Sequence, residues 1–174
     1  YNTVATTSIT TRDESTKAAI DEIMGRYAPD ANTEIAVSEN YPTAEELTTI
    51  TAKAAMQQFP AIDAALLDAS QVQDRWLPGT LTQEDFHAAF KVERQPSNTP
   101  GFNSIYQVAV TGSQLKNMLE SRPEWVSLVP DNINDASNYH VALFKGPALN
   151  SKLFFPALPN LEAQLVAESW WLLD

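Results

Sequence analysis

The sequence has no cysteine, which excludes disulfides, thiolate nucleophiles and thiolate metal sites. It has two histidines, His87 and His140, and neither has a partner at a metal-ligand spacing such as H-E-x-x-H. Both are expected to be surface or hydrogen-bonded histidines, one on a helix and one within a strand. With five glycines in all, there is no G-x-x-x-x-G-K-[ST] phosphate loop and no G-x-S-x-G nucleophile elbow. Basic residues are scarce: 11 Lys and Arg against 22 Asp and Glu give a net charge of −11. A nucleic-acid backbone or an anionic membrane needs a basic face, so neither is expected as a partner. An anionic small ligand would need the few cations gathered locally. The acidic pairs fall in first helical turns, where the helix dipole accounts for them, and form no cluster of the kind a metal-assisted hydrolase needs. No apolar run approaches the roughly 18 residues of a membrane span. The opening residues, YNTVATTSIT, lack the basic start and apolar middle of a signal peptide. A signal already removed would leave the same picture.

What is present is an ordinary globular mixture: 174 residues, 44% hydrophobic and 19% charged, enough for one domain with a core. A first helix is expected over DESTKAAIDEIMGRYA, with Thr11 and Glu14 at capping-box spacing. Ile20, Ile23, Met24 and Tyr27 fall on one of its faces, and Pro29 stops it. A second helix starts at Thr43, with Glu46 three residues on, and runs to Pro60. AIDAALLDA then suits a buried strand. A Pro-Gly turn follows, and Thr82 and Asp85 begin a helix with Phe86, Ala89 and Phe90 turned inward. RQPSNTPGFN is a loop by composition.

SIYQVAV alternates and reads as a strand. Thr111 or Ser113 caps SQLKNMLESR, whose Leu115, Met118 and Leu119 make an apolar stripe. EWVSLV and YHVALFK read as two further strands. LEAQLVAESWWLLD is ambiguous between helix and strand; Trp170 and Trp171 are adjacent and cannot share one face. Helices alternating with strands predict an α+β (or α/β-like) domain with one mixed β-sheet and helices packed on it.

Three segments in order, IDAALLDASQV, LPGTLTQEDFHAAF and PGFNSIYQVAVTGSQLKNMLE, carry a resemblance. The pattern resembles the C-terminal domain of the 5′-nucleotidase family, which includes periplasmic UDP-sugar hydrolases and surface nucleotidases. That family carries D-I-A-L-x-N-x-G-G-I-R, then G-x-I-T-x-x-D, then P-F-x-N, a strand and L-T-G-x-Q-L-K-x-x-L-E. Ala61–Leu67 matches the first strand; Gly79, Leu81, Thr82 and Asp85 match the second motif; Pro100 and Asn103 keep the ends of the third; Val110 to Glu120 matches the last almost throughout. SENYPTAEELTTITAKAAM loosely resembles the family's E-x-x-x-G-N-L helix, and YHVALFKG its Y-x-V-A-T-x-x-F strand. The likeness is clearest over residues 33–146 of what is expected to be a single domain, 1–174.

The resemblance implies a domain that holds a nucleoside and helps to hold its phosphate. The family's metal centre and catalytic dyad belong to a separate N-terminal metallophosphatase domain. Its G-N-H-D motif does not occur here, and the one D-x-H spacing, Asp85 to His87, falls inside the segment that matches the family's C-terminal G-x-I-T-x-x-D motif, so no catalytic residue, metal or cofactor is expected in this chain, and the chain alone is not expected to hydrolyse phosphate esters. Extracytoplasmic placement, periplasmic or secreted, is also implied by the resemblance alone.

Carried over residue by residue, the binding chemistry thins out. The N-x-G-G-I-R turn aligns with DASQVQ: its Asn becomes Asp68, both glycines are lost, and its phosphate-binding Arg becomes Gln73. The base-stacking Phe of P-F-x-N becomes Gly101, with Phe102 one place later beside the retained Asn103, and the second stacking Phe falls at Gly146. The family's G-G-D-G turn has no counterpart in PALNSKLFF. A base is held by aromatic faces worth roughly 1–3 kcal/mol each, and glutamine cannot replace a bidentate guanidinium. Two readings follow. In one, a non-catalytic relative has a degenerate nucleotide site and is reused to bind a protein or another ligand. In the other, the chain is a genuine substrate domain for a nucleotide or nucleoside, partnered by a metallophosphatase domain, with Arg75, Lys91 and Arg94 supplying charge and Phe102 or Trp76 stacking. Pairing of those cations with Asp74 and Glu93 at the surface is the plainer expectation.

Overall fold

A computed structural model describes residues 13–27, 29, 33–72, 78–82, 85, 89 and 104–167. The elements run α1 (Glu14–Tyr27), β1 (Glu34–Ser38), α2 (Ala44–Gln58), β2 (Ala64–Leu67), a 3-10 turn (Ala69–Gln71), β3 (Gly79–Thr82), β4 (Ile105–Thr111), α3 (Gly112–Ser121), β5 (Val126–Leu128), β6 (Asn138–Phe144), α4 (Lys145–Leu149), α5 (Ser151–Phe154) and β7 (Ala163–Ala167). Five strands form one mixed sheet in the order β5-β2-β6-β4-β7. Only β2 and β6 are parallel; the other pairings are antiparallel. β1 and β3 make a separate antiparallel ribbon. The expected α+β architecture, a mixed sheet with packed helices, is the one observed.

β2 and the second half of β6 have no polar face because both faces of the sheet are covered there. Ala65 and Leu67 of β2, with Ala142 and Phe144 of β6, point into a core shared with Leu47, Ala52 and Ala55 of α2. Ala64 and Leu66, with Val141 and Leu143, point into the opposite core with Leu115 and Met118 of α3, Trp125 and Phe155. This explains why AALL and VALF read as continuous apolar runs rather than alternations.

The helix caps are local. The Thr43 hydroxyl accepts from the Glu46 N–H at 3.2 Å, and the Glu46 carboxylate accepts from the Thr43 N–H at 2.7 Å. Thr111 and Gln114 repeat the arrangement at α3, so of the two expected caps Thr111 is used. In α2, the buried Thr48 and Thr51 hydroxyls donate to the carbonyls of Ala44 and Leu47. At α1 the capping oxygen belongs to Asp13, which accepts from Ser15 and Thr16; Thr11 lies outside the described residues. Four hydrogen bonds, led by that from the Ser15 hydroxyl, hold the Asp13 carboxyl down to about 2.

The structure adds to or departs from the sequence expectation in several places. β1 is a strand where no element was expected, and GTLT is a strand before the Thr82–Asp85 cap, not only a turn. The segment after β6 winds into α4 and α5. LEAQLVA resolves as the edge strand β7, whose Gln164 pairs with Gln107 of β4. The apolar face of α1 exists, yet Ile20 and Ile23 are 53% and 57% exposed. Ala89 is buried as expected; Phe86, Phe90, Trp170 and Trp171 lie outside the described residues.

Candidate functional site

The parallel pair β2 and β6 ends at the same edge of the sheet. Ala65 is level with Ala142, and Asp68 and Lys145 directly follow the ends of β2 and β6. β4 runs antiparallel and begins beside them: Ile105 pairs with Phe144, and the Lys145 N–H donates to the Ser104 carbonyl at 2.9 Å. The topology therefore brings Asp68, Ser104 and Lys145 to one end of the β2, β4 and β6 strands. Of the five site residues expected from the sequence, Asp68 is described. Gln73, Arg75, Phe102 and Asn103 lie outside the described residues, as do Trp76, Lys91, Arg94, Asp74, Glu93 and Gly101.

Asp68 is half-buried and occupied by its own turn. One carboxylate oxygen accepts from the Ser70 N–H at 2.9 Å, and the other lies 3.5 Å from the Gln71 side-chain amide. An Asp at the start of a 3-10 turn satisfies orphan N–H groups, as at any helix start. Lys145 is the residue that reading the sequence missed. Its neighbour Gly146 drew the attention, and the signal for Lys145 is the β2–β6 pairing.

Where the family alignment places a stacking ring, this chain has Gly146 inside α4. Asn150 closes that helix, its side-chain amide donating to the Gly146 carbonyl at 3.1 Å. α5 is then fastened to the body by Arg122. Its Nε donates to the Phe154 carbonyl at 3.1 Å, and its guanidinium lies 5.5 Å from the Trp125 ring centroid and 5.7 Å from that of Phe154. Trp125 also meets Phe155 edge to face at 5.8 Å.

The most specific motif, VTGSQLK, has a structural role. The Gly112 N–H donates to the Ser137 carbonyl at 2.9 Å, and the Ser113 N–H to the Asp135 carbonyl at 3.2 Å. Lys116 reaches the Asp135 carboxylate at 2.7 Å, and the Tyr139 hydroxyl accepts from the Asn134 N–H at 2.9 Å. These contacts hold the 131–137 loop against the start of α3. A Cβ on Gly112 would stand 2.0 Å from the Asn134 carbonyl oxygen, so only glycine fits.

His140 faces Asp63 before β2, at the opposite end of that strand from Asp68. Asp63 Oδ2 accepts from the His140 N–H at 2.8 Å and lies 3.6 Å from Nδ1, with both side chains nearly half exposed. This is the hydrogen-bonded surface histidine expected; His87 lies outside the described residues. Among the described residues no three His, Asp or Glu side chains come together as metal ligands, and no helix is long and apolar enough to cross a membrane.

No family model matches the sequence, and no curated protein matches it. Solved structures do match. The NAD nucleotidase of Haemophilus influenzae aligns with a TM-score of 0.58 at 16% identity, over 91% of this chain and 37% of that one. The 5′-nucleotidase precursor of Thermus thermophilus aligns with 0.63 at 12%, over 94% of this chain and 40% of that one. The sulfate thiohydrolase SoxB of Thermus thermophilus aligns with 0.55 at 16%, over 94% and 36%. The chain thus spans about two fifths of the length of the proteins it matches. Their names differ in substrate, so the likeness carries architecture and not activity. The chain has the fold of a 5′-nucleotidase C-terminal domain.

Proposed function

We propose that this domain is a non-catalytic relative of the nucleotidase substrate domain, its nucleotide site degenerate and its scaffold reused to bind a protein or another non-nucleotide ligand outside the cytoplasm. The observation that carries the reading is Asp68. At the strand end aligned with the family's phosphate-proximal turn stands a carboxylate, held in place by the N–H of Ser70. A monoanion about 6 Å away is repelled by about 3 kcal/mol at an effective dielectric of about 20. Lys145, which follows the neighbouring strand β6, cannot reproduce the bidentate grip of a guanidinium. Gly146 offers no ring to a base. On this account the chain itself holds no metal and hydrolyses nothing.

Lys145 is also the observation favouring the second reading, a working substrate domain paired with a metallophosphatase domain that carries the divalent metals. A thermal-shift panel with AMP, UMP, adenosine, UDP-glucose and inorganic phosphate separates the two. A ligand at a hundred times its dissociation constant stabilises by about 2.7 kcal/mol. A flat response is expected; a shift with one nucleotide would establish the second reading.

A further inference from the structure

One concavity among the described residues combines exposed apolar side chains with an excess of acidic ones. It lies between the end of β1 and the outer face of α2, with a volume of about 730 Å³. Val37 and Ile50 line it, 74% and 48% exposed, and Tyr41, 69% exposed, sits between its lining residues Asn40 and Pro42. Three of the eight large apolar side chains exposed among the described residues thus gather around one hollow. Val37 belongs to a ribbon strand whose pairing partner is β3 alone, through Thr80, so its outward face is covered by nothing described. The shape is built in: the Ser38 hydroxyl donates to the Asn40 carbonyl at 2.7 Å, and the Thr43–Glu46 capping box fixes the first turn of α2.

Glu39, Glu45 and Glu46 stand around this apolar floor against the single cation Lys53. Exposed apolar area rimmed by charge marks an interaction surface, and a predominantly acidic rim favours a basic partner. A second hollow, around Leu149 and Leu153, has Lys152 as its one charged lining residue and carries no cluster of like charges. We propose that the β1–α2 concavity docks a protein segment whose apolar side chains are flanked by lysine or arginine. The inference names a surface and a partner chemistry for the domain reused in binding, and rests on that reading only in expecting a protein ligand.

The test is a titration of the ¹⁵N-labelled chain with an 18-residue amphipathic helical peptide of leucine and lysine, with a leucine–glutamate peptide as control. Amide shifts confined to residues 37–53, saturable and weakened by raising salt from 50 to 300 mM, are expected. Ile50→Asp and Glu45→Lys should each weaken binding at least fivefold. Glu120→Lys makes the same charge change on exposed α3 and should alter it less than twofold. No binding, shifts spread across the acidic surface, or equal losses for Glu45→Lys and Glu120→Lys would each overturn the proposal. A nucleotide response in the thermal-shift panel would refute the degenerate-site reading while leaving this titration to be judged by its own outcome.

Discussion

Gly112→Ala is the sharpest structural perturbation the fold offers. The added Cβ would stand 2.0 Å from the Asn134 oxygen, 2.6 Å from its carbonyl carbon and 3.0 Å from the Asp135 Cα. All three are backbone atoms, so no side-chain rotation relieves the clash. The 131–137 loop must move by an ångström or more, which strains the hydrogen bonds from Gly112 to Ser137 and from Ser113 to Asp135. Overpacking of this kind costs about 1–3 kcal/mol, and each weakened hydrogen bond adds about 1 kcal/mol or less. Reduced unfolded-state entropy returns about 0.4–1 kcal/mol. A net loss of about 2–3 kcal/mol follows, or about 5–10 °C in Tm at this size. Urea unfolding followed by circular dichroism reads it directly. Gly25→Ala is the internal control: its Cβ meets nothing within 4 Å in the exposed helix α1, so that variant should gain up to about 1 kcal/mol. If Gly112→Ala unfolds at the wild-type urea midpoint, the close approach of the loop to α3 is wrong.

Other perturbations probe separate parts of the account. Gly79 has φ +127° with open space around it, so Gly79→Ala should cost about 1–3 kcal/mol through backbone strain alone; an unchanged urea midpoint would argue against the β3 turn. Arg122→Lys keeps the charge and loses both the planar contact with Trp125 and Phe154 and the Nε donor, and should lower stability by about 1 kcal/mol with a change in tryptophan emission; an unchanged spectrum would show that the stack does not form. The depressed Asp13 carboxyl means its capping contribution is complete above the ordinary value of 3.8 and is lost as pH falls through about 2. The amides of Ser15 and Thr16 should therefore titrate near pH 2, and a midpoint near 4 would remove the cap.

Much of the architecture was legible because it is written in local chemistry. Thr43 and Glu46, Thr111 and Gln114 cap helices by side chains three residues apart, and the AALL and VALF runs report strands buried on both faces. β1 escaped because EIAVS is mostly exposed and has no alternation to betray it; its order comes from pairing with β3, about 45 residues away in sequence. α4 and α5 escaped because each is about a single turn, held by Asn150 and by the tertiary grip of Arg122 on Phe154. The periodicity of Ile20 and Ile23 correctly marks a face, but periodicity cannot say what covers it. For the candidate site, the resemblance pointed to Asp68 and to Gly146. That Asp68 is already engaged by its own turn, and that Lys145 follows the strand paired beside it, depends on strand order and turn geometry that no residue pattern encodes.

The most direct test of the degenerate site watches the strand ends themselves. The ¹⁵N-labelled chain is titrated with AMP into the millimolar range while the amides of Asp68, Ser70, Lys145 and Gly146 are followed. The account predicts that these signals stay in place. Saturable displacement of the four together, with a single dissociation constant, would contradict it and identify the strand ends as a working nucleotide site.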